Sequence, residues 1–120
     1  MGKVYLVQIG IVEIAAALSK KVRTKELIQD DYEATLEIFL EDVQDGEYII
    51  VSLSDQVVEL AVDLTRTHPL RGYDAVHLAS TIILNATLVD AGMPSLIFIC
   101  ADEVLCEATR GEGLYADNPH

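Results

Sequence analysis

Short, strongly apolar runs spaced by helix-length stretches constrain this chain more than any other feature. Val4–Ile9, Tyr48–Leu53 and Leu96–Cys100 are dense in Val, Ile, Leu and aromatic residues, the composition of strands buried in a sheet. Each is followed by a stretch long enough for a helix or a helix pair, and strands so separated pair in parallel through crossovers rather than as hairpins. The alternation predicts an α/β chain, a three-layer α/β/α arrangement with a mainly parallel sheet, and Leu96–Cys100 reads as a central strand covered on both faces. No repeat or Pro/Gly/Ser-rich linker interrupts it, and Pro69, Pro94 and Pro119 fall where elements end, so residues 1–120 read as one domain.

The helical stretches carry their own signals. Ile11–Lys21 contains Ala15, Ala16, Ala17 and Leu18, good helix formers suited to close packing. Asp30 with Glu33 reads as a capping-box variant, after which Tyr32, Leu36, Phe39, Leu40 and Val43 recur at helical spacing until Gly46, leaving an acidic polar face. Ser54 is the expected cap of a helix to about Arg66 with Val57, Ala61 and Leu64 on one side. A long apolar helix follows from Tyr73 to about Ala91, ended by Gly92 and Pro94, then a short one from Asp102 to about Arg110, with Leu114–Ala116 as a small edge strand.

Charge narrows the partners. Eight Lys and Arg against twenty Asp and Glu give a formal net charge of -12, so a polyanion can be held only locally. Four of the basic residues, Lys20, Lys21, Arg23 and Lys25, read as a solvated helix end that complements the dipole. No apolar run approaches membrane-spanning length, and the opening residues lack the pattern of an export signal, which predicts a cytoplasmic protein. Cys100 and Cys106 show no zinc pattern and read as two buried thiols in a reducing compartment.

Three acids stand out by placement. Glu13 is expected in the first turn after the first strand, Asp74 in the first turn of the long helix, and Asp102 directly after the most apolar strand. In an open parallel sheet, ligands bind beyond the carboxyl ends of the strands. Converging carboxylates repel unless a cation lies between them, and hard oxygen ligands suit Mg2+ or Mn2+. Acids in first turns also satisfy free backbone N–H groups and the helix dipole, with about 0.3–1 kcal/mol each, so both readings stay open on spacing alone.

The segment Leu70-Arg71-Gly72-Tyr73-Asp74-Ala75-Val76-His77-Leu78-Ala79-Ser80, followed by Phe98-Ile99-Cys100-Ala101-Asp102-Glu103-Val104-Leu105, Gly113-Leu114 and Asn118-Pro119, resembles the C-terminal half of PIN-domain proteins such as the VapC-type toxin ribonucleases. Val12-Glu13-Ile14-Ala15-Ala16-Ala17-Leu18 resembles that family's Glu-bearing helix. The resemblance implies a PIN-like fold and a Mg2+- or Mn2+-dependent endoribonuclease of a toxin–antitoxin system, in which Glu13, Asp74 and Asp102 hold the metal and an activated water attacks an RNA phosphodiester. It further implies a cognate antitoxin protein as partner.

Departures qualify the match. The family's opening strand ends in an Asp, whereas Val7 or Gln8 stands at that place here, and Cys100 replaces the hydroxyl residue common before Ala-Asp. The N-terminus thus reads as shortened, through a late start, a deletion or an internal initiation, and the alternative to an active nuclease is a catalytically degenerate protein-interaction or regulatory module. Uncovered strand edges predict a homodimer through the N-terminal strand or the helix from Asp30 to Val43. His77, one turn after Asp74, reads as core packing; His68 and His120 read as exposed loop residues; Arg71 could meet an RNA phosphate or pair with an acid.

Overall fold

The computed structural model describes residues 3–100 and 102–119. Its order is β1 (Tyr5–Val7), α1 (Gln8–Arg23), α2 (Gln29–Gln44), β2 (Ile49–Val51), α3 (Asp55–Thr67), α4 (Gly72–Asp90), β3 (Ile97–Ile99), α5 (Glu103–Gly111) and β4 (Tyr115–Asp117). The chain resolves into two compact units, residues 1–52 and 53–120.

In the first unit β1 and β2 pair in parallel, with Tyr5 opposite Ile49 and Val7 opposite Val51. The intervening α1 and α2 form the crossover. Lys20, Lys21 and Arg23 do lie in the last turn of α1, where positive charge complements the carbonyl end of the helix. The loop that follows turns at Lys25, whose φ is 62°. No side chain caps α2: Ile28 occupies the cap position, and Asp30 lies inside the first turn. Asp30 therefore acts on the helix dipole rather than as one half of a capping box. Gly46, with φ 80°, stops the chain beyond α2 in the left-handed conformation that favours glycine.

The second unit holds the buried core. Val57, Ala61 and Leu64 of α3 face Ala75, Leu78 and Ala79 of α4, and Cys100 joins Leu105, Cys106 and Ala108 of α5 in the same cluster. The Ser54 hydroxyl oxygen accepts a hydrogen bond from the Val57 N–H at 3.2 Å, as its position before an apolar periodic stretch dictates. After α4, Gly92 at φ 79° turns the chain, and the Asn85 side chain accepts from the Leu96 N–H at 2.7 Å, tying the entry of β3 to the helix. β3 and β4 run parallel, Ile97 opposite Tyr115 and Ile99 opposite Asp117.

This architecture corrects the three-layer expectation. The described residues form five helices and four strands of three residues each, paired as two separate two-stranded parallel sheets. Nor is β3 covered on both faces, since Phe98 packs on the core while Ile97 and Ile99 are 65% and 63% exposed. The apolar runs are longer than the ladders they make: Gln8 and Ile9 pass into α1, where their carbonyls are met within the helix and need no partner strand. Parallel pairing and alternation hold; one continuous sheet does not.

Two local expectations also change. Cys100 and Cys106 are buried but joined in a disulfide, so they are not free thiols. The His68 ring, only 19% exposed, has Nε2 2.8 Å from Glu112 Oε2, which joins the end of α3 to the residue capping α5. His68 is thus a tertiary contact rather than an exposed loop residue, while His120 lies outside the described residues.

Candidate carboxylate site

Two of the three singled-out acids occupy neighbouring chain entries into helices of the second unit. Asp74 is in the first turn of α4 and is half-buried. Asp102 is the N-cap of α5, with extended backbone angles and a side chain that accepts from the Val104 N–H; Oδ1 lies 2.8 Å from that nitrogen. A short acceptor at the N-cap satisfies one of the four free N–H groups of the first turn, and its charge sits at the positive end of the helix.

Arg71 links them. It occupies the N-cap position of α4 and makes no capping bond, which leaves its guanidinium to reach outward. Nη1 donates to the Tyr73 hydroxyl at 3.3 Å. The Arg71 guanidinium is held above its ordinary value first by that hydrogen bond and the further electrostatic effect of Tyr73, then by Asp74; desolvation opposes this, and Asp102 adds the weakest contribution. Both carboxylates therefore act on one guanidinium. The sign is clear: a raised arginine stays protonated throughout the working range, so the site carries a permanent positive charge among acids.

The neighbouring Glu103 is engaged elsewhere. Arg110 Nη1 donates to Glu103 Oε1 at 3.1 Å and Asn118 Nδ2 to Oε2 at 3.2 Å. Arg110 Nη2 also donates to the Ala116 carbonyl at 3.3 Å, so this network locks α5 to β4. The sequence offered a partial signal for the network, since Asn118 lies in a segment of the resemblance, but nothing local announced Arg110 as its hub. The role of Tyr73 as the group aligning Arg71 was likewise not anticipated.

Glu13 lies in the second turn of α1, because the helix begins at Gln8 rather than after Ile9. It is half-buried and belongs to the first unit. His77, one turn beyond Asp74 on α4, is half-buried beside the buried Leu78.

Asp74 and Asp102 are carboxylates, the hard oxygen donors that suit Mg2+ or Mn2+, and Mg2+ is commonly held by one or two carboxylates together with water. Among the described residues no three His, Cys, Asp or Glu side chains are grouped to hold a metal ion. An open depression of about 580 Å³ lies instead at the start of β3 and β4, lined by Pro94, Ser95, Ile97, Tyr115 and Ala116. Asp102 follows the opposite, carboxyl end of β3, so that depression is separate from the acids.

No family model and no curated protein matches the chain. Among the described residues no helix is long and apolar enough to cross a membrane.

Proposed function

We propose that the chain is a PIN-like, divalent-cation-dependent endoribonuclease of the VapC toxin type, acting on cytoplasmic RNA and controlled by a cognate antitoxin protein. The observation that carries the reading is the placing of Asp74 in the first turn of α4 and of Asp102 at the N-cap of α5, two helix entries of one unit. Two acids at helix entries and one permanently charged donor are the elements a phosphodiester needs: carboxylates for a cation and a guanidinium for a phosphate oxygen. Glu13 enters the reading through the resemblance, from α1.

Asp74 and Asp102 would hold Mg2+ or Mn2+, which when bound supplies a lowered pKa for a coordinated water and neutralises phosphate charge. The chain's own part is orientation. Tyr73 aligns Arg71, and Arg71 meets a non-bridging phosphate oxygen as charge builds there during attack of water on phosphorus and departure of the ribose oxygen. Asp102 is kept at its post by the N-cap bond to Val104, a geometry paid for by helix formation rather than by the substrate.

The test is Mn2+-dependent cleavage of single-stranded RNA by the purified chain, with Asp74→Ala and Asp102→Asn as controls, alongside thermal melts. At a concentration ten times its Kd, Mn2+ adds about 1.4 kcal/mol to the stability of the native state. Cleavage lost in both variants, with the melting shift reduced, supports the reading; cleavage insensitive to both refutes it. A second reading, a degenerate interaction or regulatory module, is favoured by the lack of three grouped donors among the described residues. It predicts neither cleavage nor a Mn2+ shift.

A second copy of the chain is the oligomeric partner in either reading. In the first unit Val4, Val12, Ile28 and Ile38 are all more than half exposed. The basic end of α1 and the acids of α2 supply both signs of charge that an isologous contact needs.

A further inference from the structure

We propose that the Cys100–Cys106 disulfide is a redox-controlled clamp on Asp102, so that the carboxylate site answers to the thiol–disulfide state of its surroundings. Its consequence for cation binding rests on the functional reading above; the clamp itself does not.

The cross-link spans a sequence separation of six and closes a ring around Asp102. Both bonds that fix this residue fall inside the ring: its Oδ1 accepts from the Val104 N–H at 2.8 Å, and its carbonyl accepts from the Cys106 N–H at 3.0 Å. One end of the ring is anchored to the sheet, because the Cys100 N–H donates to the Asp117 carbonyl at 3.1 Å. The other end is anchored in the core, where Cys106 is completely buried. The disulfide thus joins the exit of β3 to the second turn of α5 across the segment that presents the carboxylate. α5 has nine residues, too few to hold its first turn by helix propensity alone. Packing at these two positions could be met by any small apolar side chain; a cysteine at both adds a bond that can be opened.

Opening proceeds by exchange with a dithiol. Its thiolate attacks one protein sulfur to form a mixed disulfide, and its second thiol displaces that sulfur as a cyclic disulfide leaves. Two electrons pass to the protein sulfurs, which take up two protons to become thiols, and the dithiol is oxidised. Cys100 is 3% exposed and Cys106 fully covered, so attack requires the first turn of α5 to open. The clamp therefore follows sustained redox change rather than brief fluctuation.

The bond restricts the chain in its open state, so reduction enlarges the open population of the first turn. Amide hydrogen exchange of the full chain, oxidised and after reduction with dithiothreitol, reads it directly, with alkylation and intact mass confirming the thiol count. We expect exchange at Val104 and Cys106 to quicken at least fivefold on reduction, beyond any change at Leu78 and Ala79 of α4. A smaller rise, or an equal rise in α4, overturns the clamp. The Cys100→Ala/Cys106→Ala double variant, which keeps small apolar side chains at both sites, should behave as the reduced chain in either buffer; retained protection there also overturns it. The Mn2+ melting shift separates the two claims: a shift that shrinks on reduction supports both. Absence of any shift in either redox state, with exchange still redox-dependent, removes the cation reading and leaves the clamp standing.

Discussion

Asp102 is asked to do two things, cap α5 and present charge beside Arg71, and two substitutions separate them. Asn keeps a side-chain oxygen able to accept from the Val104 N–H, which Asp102 Oδ1 now meets at 2.8 Å, but carries no charge. Ala removes both. Loss of a cap costs about 1 kcal/mol, within a range of about 0.5–2. Loss of charge at a helix entry costs about 0.3–1 kcal/mol, at the low end here because Asp102 is exposed and Glu103 remains in the first turn. The weak effect of Asp102 on the exposed Arg71 is screened by solvent and adds little to stability. For a cooperative unit of this size about 1 kcal/mol moves Tm by roughly 4–8 °C. Thermal melts followed by circular dichroism should therefore place Asp102→Ala about 5–10 °C below the parent and Asp102→Asn only about 1–3 °C below. RNA cleavage and the Mn2+ shift should be lost in both alike. Equal destabilisation by Asn and Ala would refute the division of roles, for it would mean that charge rather than the acceptor atom holds the turn.

Leu78 is fully buried between α3 and α4, so Leu78→Ala should cost about 3–5 kcal/mol in urea denaturation, the range for a cavity that cannot collapse. Ser80 is 2% exposed and its hydroxyl has no hydrogen-bond partner among the described residues; Ser80→Ala should raise stability by about 1 kcal/mol, because an unmet buried hydroxyl carries a desolvation cost that alanine lacks. Light scattering at micromolar concentration in 150 mM salt should give twice the chain mass, and Ile38→Lys, which places charge on an exposed apolar side chain of α2, should give the single-chain mass; a parent already at that mass would refute self-association. Melting should show no step assignable to Arg71 as pH rises through the accessible range. Its guanidinium is held above its ordinary value, so any stability it contributes is lost only on passing that raised value.

The helix α3 and the ends of α2 and α4 were written in consecutive residues, without reference to distant chain. Ser54 before Val57, Ala61 and Leu64 specified where α3 starts and which side it buries, because a cap and a 3.6-residue period act within a few residues of themselves. Gly46 and Gly92 likewise marked the ends of α2 and α4 through a backbone conformation that needs no tertiary help. Strand pairing was legible in sense but not in extent, since how far an apolar run stays extended depends on the neighbour that meets its backbone groups. That neighbour is chosen by tertiary structure, which left Ile97 and Ile99 on an exposed face and stopped each ladder at three residues. The same holds for the site: Asp74 and Asp102 could be picked out by their places at helix entries, whereas their common action on Arg71, the His68–Glu112 contact and the bond between Cys100 and Cys106 arise only when separate elements are packed together. Periodicity and capping are properties of consecutive residues, while a shared electric field or a cross-link is a property of positions in space, and only the folded chain supplies those.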